Sequence, residues 1–390
     1  MKVAIAAGER FHAFYLATQL NRFDYLEKLF TTVAGEGDLK LLGSKNISNF
    51  RSGKLLGDVY LKFRLSYLIN NSSWYVLKDY IFDKWLSNQF KNVEQLDIFV
   101  GWTNYWLNSY SQIKKTGAKI IAESGSWHII EQSKILQEEF ELYGVKAKPI
   151  NQKNIEKMVK EYEVADYIMT PAKHVRDSFI RQNISQSKLL KVPYGVDFER
   201  FYQSRIEKTK KFRVIFVGQV SLQKGVQYLI KAWNKLDLPK ETSELLIVGD
   251  IQNCFKQVMK DLTIRNNVKF YGSTSQENLK NLYKQSSLFV LPSIQEGFGM
   301  VISEAMASGM PVICTTNTGG EELIEHGKEG FIVFIRDVDD LAAKINWYYE
   351  HQDRCFQMGM AAQQKIKNFT WDHYGDKIIK IYGEILKQKI

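Results

Sequence analysis

Two carboxylates eight positions apart mark the stretch of this chain best equipped for chemistry, Ser293-Ile294-Gln295-Glu296-Gly297-Phe298-Gly299-Met300-Val301-Ile302-Ser303-Glu304-Ala305. Gly297 and Gly299 free the backbone there to offer successive N–H donors, at Phe298, Gly299 and Met300, to an anion at the start of a helix. Glu296 alone would read as a helix cap. Glu304 lies eight residues further on, in a helix whose apolar face is Val301, Ile302, Ala305 and Met306, and capping does not explain it. Two acceptors so spaced can hold two sets of hydroxyls on one elongated ligand.

Three other segments carry candidate groups. Val217-Gly218-Gln219-Val220-Ser221-Leu222-Gln223-Lys224-Gly225 ends an apolar run and opens a helix. A helix N-terminus attracts anions and Lys224 can pair with a phosphate, although a lysine at such a place is commonly a plain surface residue. His128 follows the apolar run 119–122 and the small residues Ser124, Gly125 and Ser126. A lone histidine is commonly structural, and the weight of this one comes from its place at a strand end. Ala7-Gly8-Glu9-Arg10 forms the first strand-to-helix turn, with a single glycine in place of G-x-G-x-x-G. Asp337-Val338-Asp339 spells a metal–diphosphate pattern, but it directly precedes a helical run, so helix capping explains it better. H-E-x-x-H, a Cys/His cluster and G-x-x-x-x-G-K-[ST] are all missing from the sequence, which argues against a metal hydrolase or P-loop NTPase.

The elements that position these groups are short apolar runs alternating with amphipathic stretches, the pattern of parallel sheets with crossover helices. In the first half, strands are expected at 2–7, 28–33, 96–102, 119–122, 167–170 and 189–192. Helices are expected at 11–21, 58–69, 76–90, 129–143, 155–163 and 173–182. The second half repeats the alternation, with strands at 212–217, 244–248, 267–271, 287–291, 311–314 and 330–334. From Leu341 onward the pattern is helical, broken near Phe369-Thr370-Trp371-Asp372, where Thr370 is placed to cap the last helix. Pro193-Tyr194-Gly195-Val196-Asp197 punctuates the middle and sets the expected division: residues 1–194, residues 195–370 and a terminal helix 371–390.

At 390 residues the chain suits two domains, each large enough for its own core. Its three scattered cysteines fit a reducing compartment and do not form a thiolate metal site. The N-terminal apolar run is too short for a signal h-region and reads as a buried strand. The net charge is +10, and nine basic residues against three acidic ones fall within 40–91, interleaved with aromatics such as Trp74, Tyr75, Tyr80 and Trp85. That pattern fits either a solvated helical face or contact with an anionic membrane. No nucleic-acid-binding motif accompanies the charge.

The string Glu296-Gly297-Phe298-Gly299 through Glu304-Ala305, with Gly309, Pro311-Val312 and Gly319-Gly320, resembles the E-x7-E signature of the family 4 glycosyltransferases. The resemblance extends over essentially the whole chain and is strongest from Val192 to Phe334. It implies a GT-B fold, two Rossmann-like domains with parallel sheets facing across a cleft, and a last helix crossing back to the first domain. It implies a retaining, metal-independent hexosyltransferase that uses a nucleotide-diphosphate sugar as substrate and has no cofactor.

The resemblance also assigns roles. Glu304 would hold the ribose, and Glu296 with the N–H groups of Phe298, Gly299 and Met300 the donor sugar. Lys224 would neutralise the diphosphate, Gly8 would let the first-domain loop close over it, and His128 would line the acceptor side. Tyr271 and Gly272 would flank the base. Gln219 departs from the arginine common in the family and puts the diphosphate contact in question, because an amide cannot replace a bidentate cation. Expected partners are the donor and a saccharide or lipid-linked acceptor from polysaccharide or glycolipid synthesis. The expected location is cytoplasmic, with 40–91 at the inner face of the membrane. The alternatives are a non-catalytic nucleotide-sugar-binding scaffold and an epimerase of the same architecture.

Overall fold

The apolar runs fold into two separate parallel sheets, in a computed structural model that describes residues 1–50, 71–203 and 211–387. The first has seven strands: β1 (Val3–Ala7), β2 (Leu26–Thr31), β3 (Ile47–Asn49), β4 (Ile98–Trp102), β5 (Lys119–Glu123), β6 (Tyr167–Thr170) and β7 (Leu189–Lys191). The second has six: β8 (Phe212–Val217), β9 (Ser243–Val248), β10 (Val268–Gly272), β11 (Leu288–Leu291), β12 (Val312–Thr315) and β13 (Gly330–Val333). Every residue of β1, β4, β9, β11 and β12 is buried, as expected for strands covered by helices on both faces.

The strand orders are β3-β2-β1-β4-β5-β6-β7 and β10-β9-β8-β11-β12-β13. Each order reverses once, between β1 and β4 and between β8 and β11. In an open α/β sheet the loops at such a reversal diverge and leave a crevice beyond the strands' carboxyl ends. The loops after β1, β8 and β11 contain Gly8, Lys224 and Glu296 respectively, so topology brings most of the sequence's candidate groups to these two crevices.

Residues 192–197 and 369–371 are the two crossings between domains, and they bind each other. The Val196 N–H donates to the Phe369 carbonyl at 2.8 Å. Thr370 caps the last helix, Trp371–Lys387, its Oγ1 accepting from the His373 N–H at 3.2 Å. That helix lies on the first-domain helix Ala13–Arg22. Tyr15 stacks on Trp371 with centroids 4.0 Å apart, the Gln19 amide donates to Asp372 at 3.0 Å, and Arg22 pairs with Asp372 at 2.9 Å.

Two differences from the expected elements stand out. The short edge strand β3 has too few residues to show a period and was not anticipated. The first helix begins at Ala13, two residues later than its apolar spacing indicates, because Phe11 takes a positive φ of 34° in the preceding turn. The helix expected at 58–69 lies outside the described residues, as does much of the basic segment 40–91. Among the described residues, no helix is long and apolar enough to cross a membrane.

Candidate functional site

The loop after β11 is built around two glycines. A Cβ on Gly297 would lie 1.7 Å from the Gly125 carbonyl oxygen of the first domain, so only glycine permits this contact between domains. Gly299 sits at φ 79°, where a side chain would be strained, and opens the helix Met300–Ala307. That geometry sets the backbone at Phe298, Gly299 and Met300 at a helix N-terminus with its positive partial charge. Phe298 itself is buried, its ring edge-on to Tyr194 at 5.3 Å, and fixes the loop to the linker.

Lys224 and Glu296 meet. Their side chains, 21% and 15% exposed, form an ion pair through Lys224 Nζ and Glu296 Oε2. Glu296 Oε1 also accepts the Gly297 N–H at 3.1 Å. Both residues reach the pair from loops at the β8/β11 crevice. The two loops are laced together: the Ile294 N–H donates to the Gln223 carbonyl at 2.9 Å, and the Gln223 amide to Gln295 Oε1 at 2.9 Å. Gln295 in turn donates to Ser126 Oγ of the first domain at 2.8 Å, and a ring nitrogen of His174 lies 3.0 Å from the Glu296 carbonyl. First-domain groups thus bear directly on the loop that carries Glu296.

Glu304 points to a different part of the crevice. It lines a cavity of about 230 Å³ shared by both domains and the linker, with Tyr15, Asp197, Arg200, Gln276 and Ser303 on its walls. The Tyr283 hydroxyl, 3.5 Å from Oε2, gives it a long hydrogen bond. Burial pushes the Glu304 carboxyl up to about 7, with Tyr283 and Arg200 opposing that shift. A half-buried carboxylate with one long side-chain hydrogen bond among the described residues has acceptor capacity for a ligand's hydroxyls. Arg200, which pairs with Asp197 at 2.7 Å and donates to Gln276, holds the cavity's far wall.

The remaining expected residues are scattered around this centre. The Gln219 side-chain oxygen accepts from the Gln252 amide at 2.7 Å, at the exposed end of the β8 loop. Tyr271, 49% exposed, and Gly272 close β10 at the edge of the sheet and do not line the Glu304 cavity. At Gly8 a Cβ would lie 2.2 Å from the Tyr105 ring, so packing against Tyr105 already accounts for the missing side chain. Arg10 and Phe11, just beyond it, are the loop residues that reach the cavity. Asp337 caps its helix, accepting from the Asp340 N–H at 2.9 Å, as the sequence indicates.

His128 is buried among aromatic rings. It is 3% exposed, its ring lies 4.9 Å from Tyr162 and 5.1 Å from Phe179, and its Nδ1 accepts from the Ile130 N–H at 3.3 Å. It is the N-cap of the helix Ile129–Leu142, and burial lowers its pKa to about 4, keeping it neutral. It follows a strand end, as expected, and its ring is held by the aromatic pair and by the capping bond.

The first-domain groups that do gather near the linker are His12, Glu123 and Tyr194. All three are buried, with a His12 ring nitrogen 2.9 Å from Glu123 Oε1 and the Tyr194 hydroxyl donating to the same oxygen at 3.2 Å. A buried carboxylate ending an apolar run, as Glu123 does, is a rarer feature than a lone histidine and is the sequence signal for this cluster. Through its bond to Glu123, Tyr194 ties the linker to β5.

Comparison with known proteins follows the division between the halves. Residues 197–365 match the family described as glycosyl transferases group 1. An uncharacterized glycosyltransferase of Methanocaldococcus jannaschii is 31% identical over 176 residues, 43% of this chain and 44% of that protein. The D-inositol 3-phosphate glycosyltransferase of Corynebacterium jeikeium is 27% identical over 214 residues, 50% of this chain and 51% of that protein. The chain spans about half the length of the curated relatives it matches.

Solved structures match throughout. Anabaena HepE in complex with UDP and glucose superposes with a TM-score of 0.70 at 18% identity, over 98% of this chain and 100% of the other. Sucrose-phosphate synthase from Thermosynechococcus elongatus gives 0.70 at 15% identity, over 100% of both chains. The chain therefore has the two-Rossmann-domain GT-B fold, and the matches together support the GT-B glycosyltransferase superfamily.

Proposed function

We propose that this protein is a retaining, metal-independent glycosyltransferase that moves a hexose from a nucleotide-diphosphate sugar to a hydroxyl of a saccharide or lipid-linked acceptor. The observation that carries the reading is the placement of Glu296, Glu304 and Lys224. All three lie beyond one topological switch point, with Lys224 on Glu296 and Glu304 in a cavity of its own. The family match over the second half and the solved likeness of HepE with UDP and glucose support a nucleotide-sugar donor.

In this reading Glu304 accepts the ribose hydroxyls and Glu296 those of the donor sugar. The diphosphate takes up Lys224, which leaves its pairing with Glu296 to serve the leaving group. The bond from the anomeric carbon to phosphate oxygen breaks as the bond to the acceptor oxygen forms on the same face. The acceptor's proton passes to the departing phosphate oxygen. Negative charge grows on the diphosphate, where Lys224 and the N-terminus of Met300–Ala307 stabilise it without a metal. First-domain groups close over the site through Ser126 and Gly125, exclude water and limit hydrolysis of the donor. Residues 40–91, basic and aromatic, are the segment that would meet an anionic membrane.

A panel of nucleotide sugars tests this, read by thermal shift, transfer to saccharide acceptors and donor hydrolysis in EDTA, with Glu304→Ala beside the parent. Stabilisation by one donor that the substitution abolishes and chelation leaves intact supports the reading. Anomeric retention in the product, followed by NMR, tests the stereochemistry. Nucleotide binding with neither transfer nor hydrolysis would favour the non-catalytic scaffold, for which the neutral Gln219 is the specific observation.

A further inference from the structure

A second cavity, of about 610 Å³, lies on the second domain away from the cleft and shares no lining residue with the Glu304 cavity. Its walls are the edge strand β13, the turn before it, and the helices Val338–Glu350 and Gln352–Ile366. Its size falls within the roughly 300–1,000 Å³ range of small-molecule sites. Its side chains are of two kinds. Phe331 and Trp347, both half-buried, meet edge to face at 5.3 Å and 89° and form an aromatic floor. Lys328, Lys344 and Arg354 supply positive charge, and no carboxylate lines the cavity.

The cations are free to be drawn in. Lys344 Nζ stands 4.9 Å from the Phe331 centroid and only 3.7 Å from Asp340, a loose pair on the helix surface. Lys328 pairs with Glu325 at 3.2 Å, with both side chains more than 60% exposed. Exposed pairs of this kind contribute little and yield readily to a better anion. Arg354 donates to the neutral Gln357 at 3.2 Å and has no ion-pair partner among the described residues. Its planar fork is suited to a phosphate or carboxylate.

We propose that this groove is a second ligand site and that it takes an anionic saccharide. The ring would lie against Phe331 and Trp347, with its phosphate or carboxylate on Lys328, Lys344 and Arg354. An aromatic face accepts the apolar C–H face of a sugar, and the cations select the charged sugar over the neutral one. This assignment is independent of the transferase reading, since none of its residues takes part in donor binding there.

The test is tryptophan-fluorescence and calorimetric titration of the full chain with glucose 6-phosphate, glucuronate, glucose and inorganic phosphate. Saturable binding of either charged sugar, weakened about tenfold or more by Arg354→Ala and again by Lys344→Ala, supports the site. Which of the two charged sugars binds identifies the anion. Glu304→Ala should leave this binding unchanged. Both cation substitutions lie on exposed or half-exposed positions, and far-ultraviolet circular dichroism checks that they fold. Glucose or phosphate alone binding as tightly as the charged sugars would overturn the proposal. So would binding of none of the four, or binding lost in Glu304→Ala and kept in Arg354→Ala.

Discussion

Two glutamates, the fully buried Glu139 and the half-buried Glu304, stand in contrasting surroundings. Glu139, fully buried in the helix Ile129–Leu142 of the first domain, is met by three donors from the second. The Gln227 amide, the Tyr228 hydroxyl and Arg336 Nε each lie 2.8 Å from one of its oxygens. Glu304 has the Tyr283 hydroxyl at 3.5 Å and a carboxyl pushed up to about 7 by burial. A carboxylate supplied with a full donor set fastens structure together. One half-buried, with a single long side-chain bond among the described residues, keeps acceptor capacity for something else. Glu139 therefore reads as a latch that holds the two domains together, whereas Glu304 is left open toward the cavity it lines.

The largest effect that could break this contrast is Arg336→Ala. It strands the buried Glu139 charge and should cost about 3–5 kcal/mol, measured by urea unfolding, whereas Glu139→Gln should cost less. A loss below about 1 kcal/mol would remove the latch from the comparison. Glu304→Ala should do the opposite. Unfolding stability near pH 7 should not fall, while affinity for the nucleotide falls by about tenfold or more in calorimetric titration. Equal losses of stability from the two substitutions would erase the distinction.

The pH dependence sharpens the same contrast. Because the folded Glu304 carboxyl titrates at about 7 against an ordinary 4.5, its stabilising contribution is full below pH 4.5. It is lost as pH rises through about 7, and Glu304→Gln should remove that part of the decline. Nucleotide affinity should move the other way, rising as the carboxylate ionises, and Glu304→Gln should flatten the rise between pH 6 and 8.

His128 gives the reverse sign. Lowered from 6.5 to about 4, it stabilises the fold above pH 6.5 and withdraws that support as pH falls toward 4. The slope is at most about 1.4 kcal/mol per pH unit, and His128→Asn should reduce it. The smallest effect belongs to Tyr194→Phe, which removes the linker's hydrogen bond to Glu123 and should cost about 1 kcal/mol in thermal unfolding.

Much of this was readable along the chain. The strands β6 and β8 have the bounds their apolar runs indicate, and the other anticipated strands differ at their ends by a few residues at most. Thr370 and Asp337 cap the helices they precede. These features are local: an apolar run between breakers and a hydroxyl or carboxylate ahead of a helix act over a few residues. Glu296 and Glu304 were legible for a related reason, since a turn and one helix fix their separation. His128 shows where that reading stops. Its place at a strand end was visible, but Tyr162 and Phe179, 34 and 51 residues further on, draw the ring inward.

The sequence by itself determined two parallel α/β sheets and a glycine-rich turn flanked by two acids. Each depends on short-range periodicity and backbone freedom. Only the tertiary structure decided that Lys224 would meet Glu296 across 72 residues, and that Glu139 would find donors 88, 89 and 197 residues away. It also decided that Glu304 would stand half-buried in a cavity wall with one long side-chain bond among the described residues. A carboxylate's role depends on which donors reach it once the chain is packed, and donors so distant in sequence leave no local pattern to read.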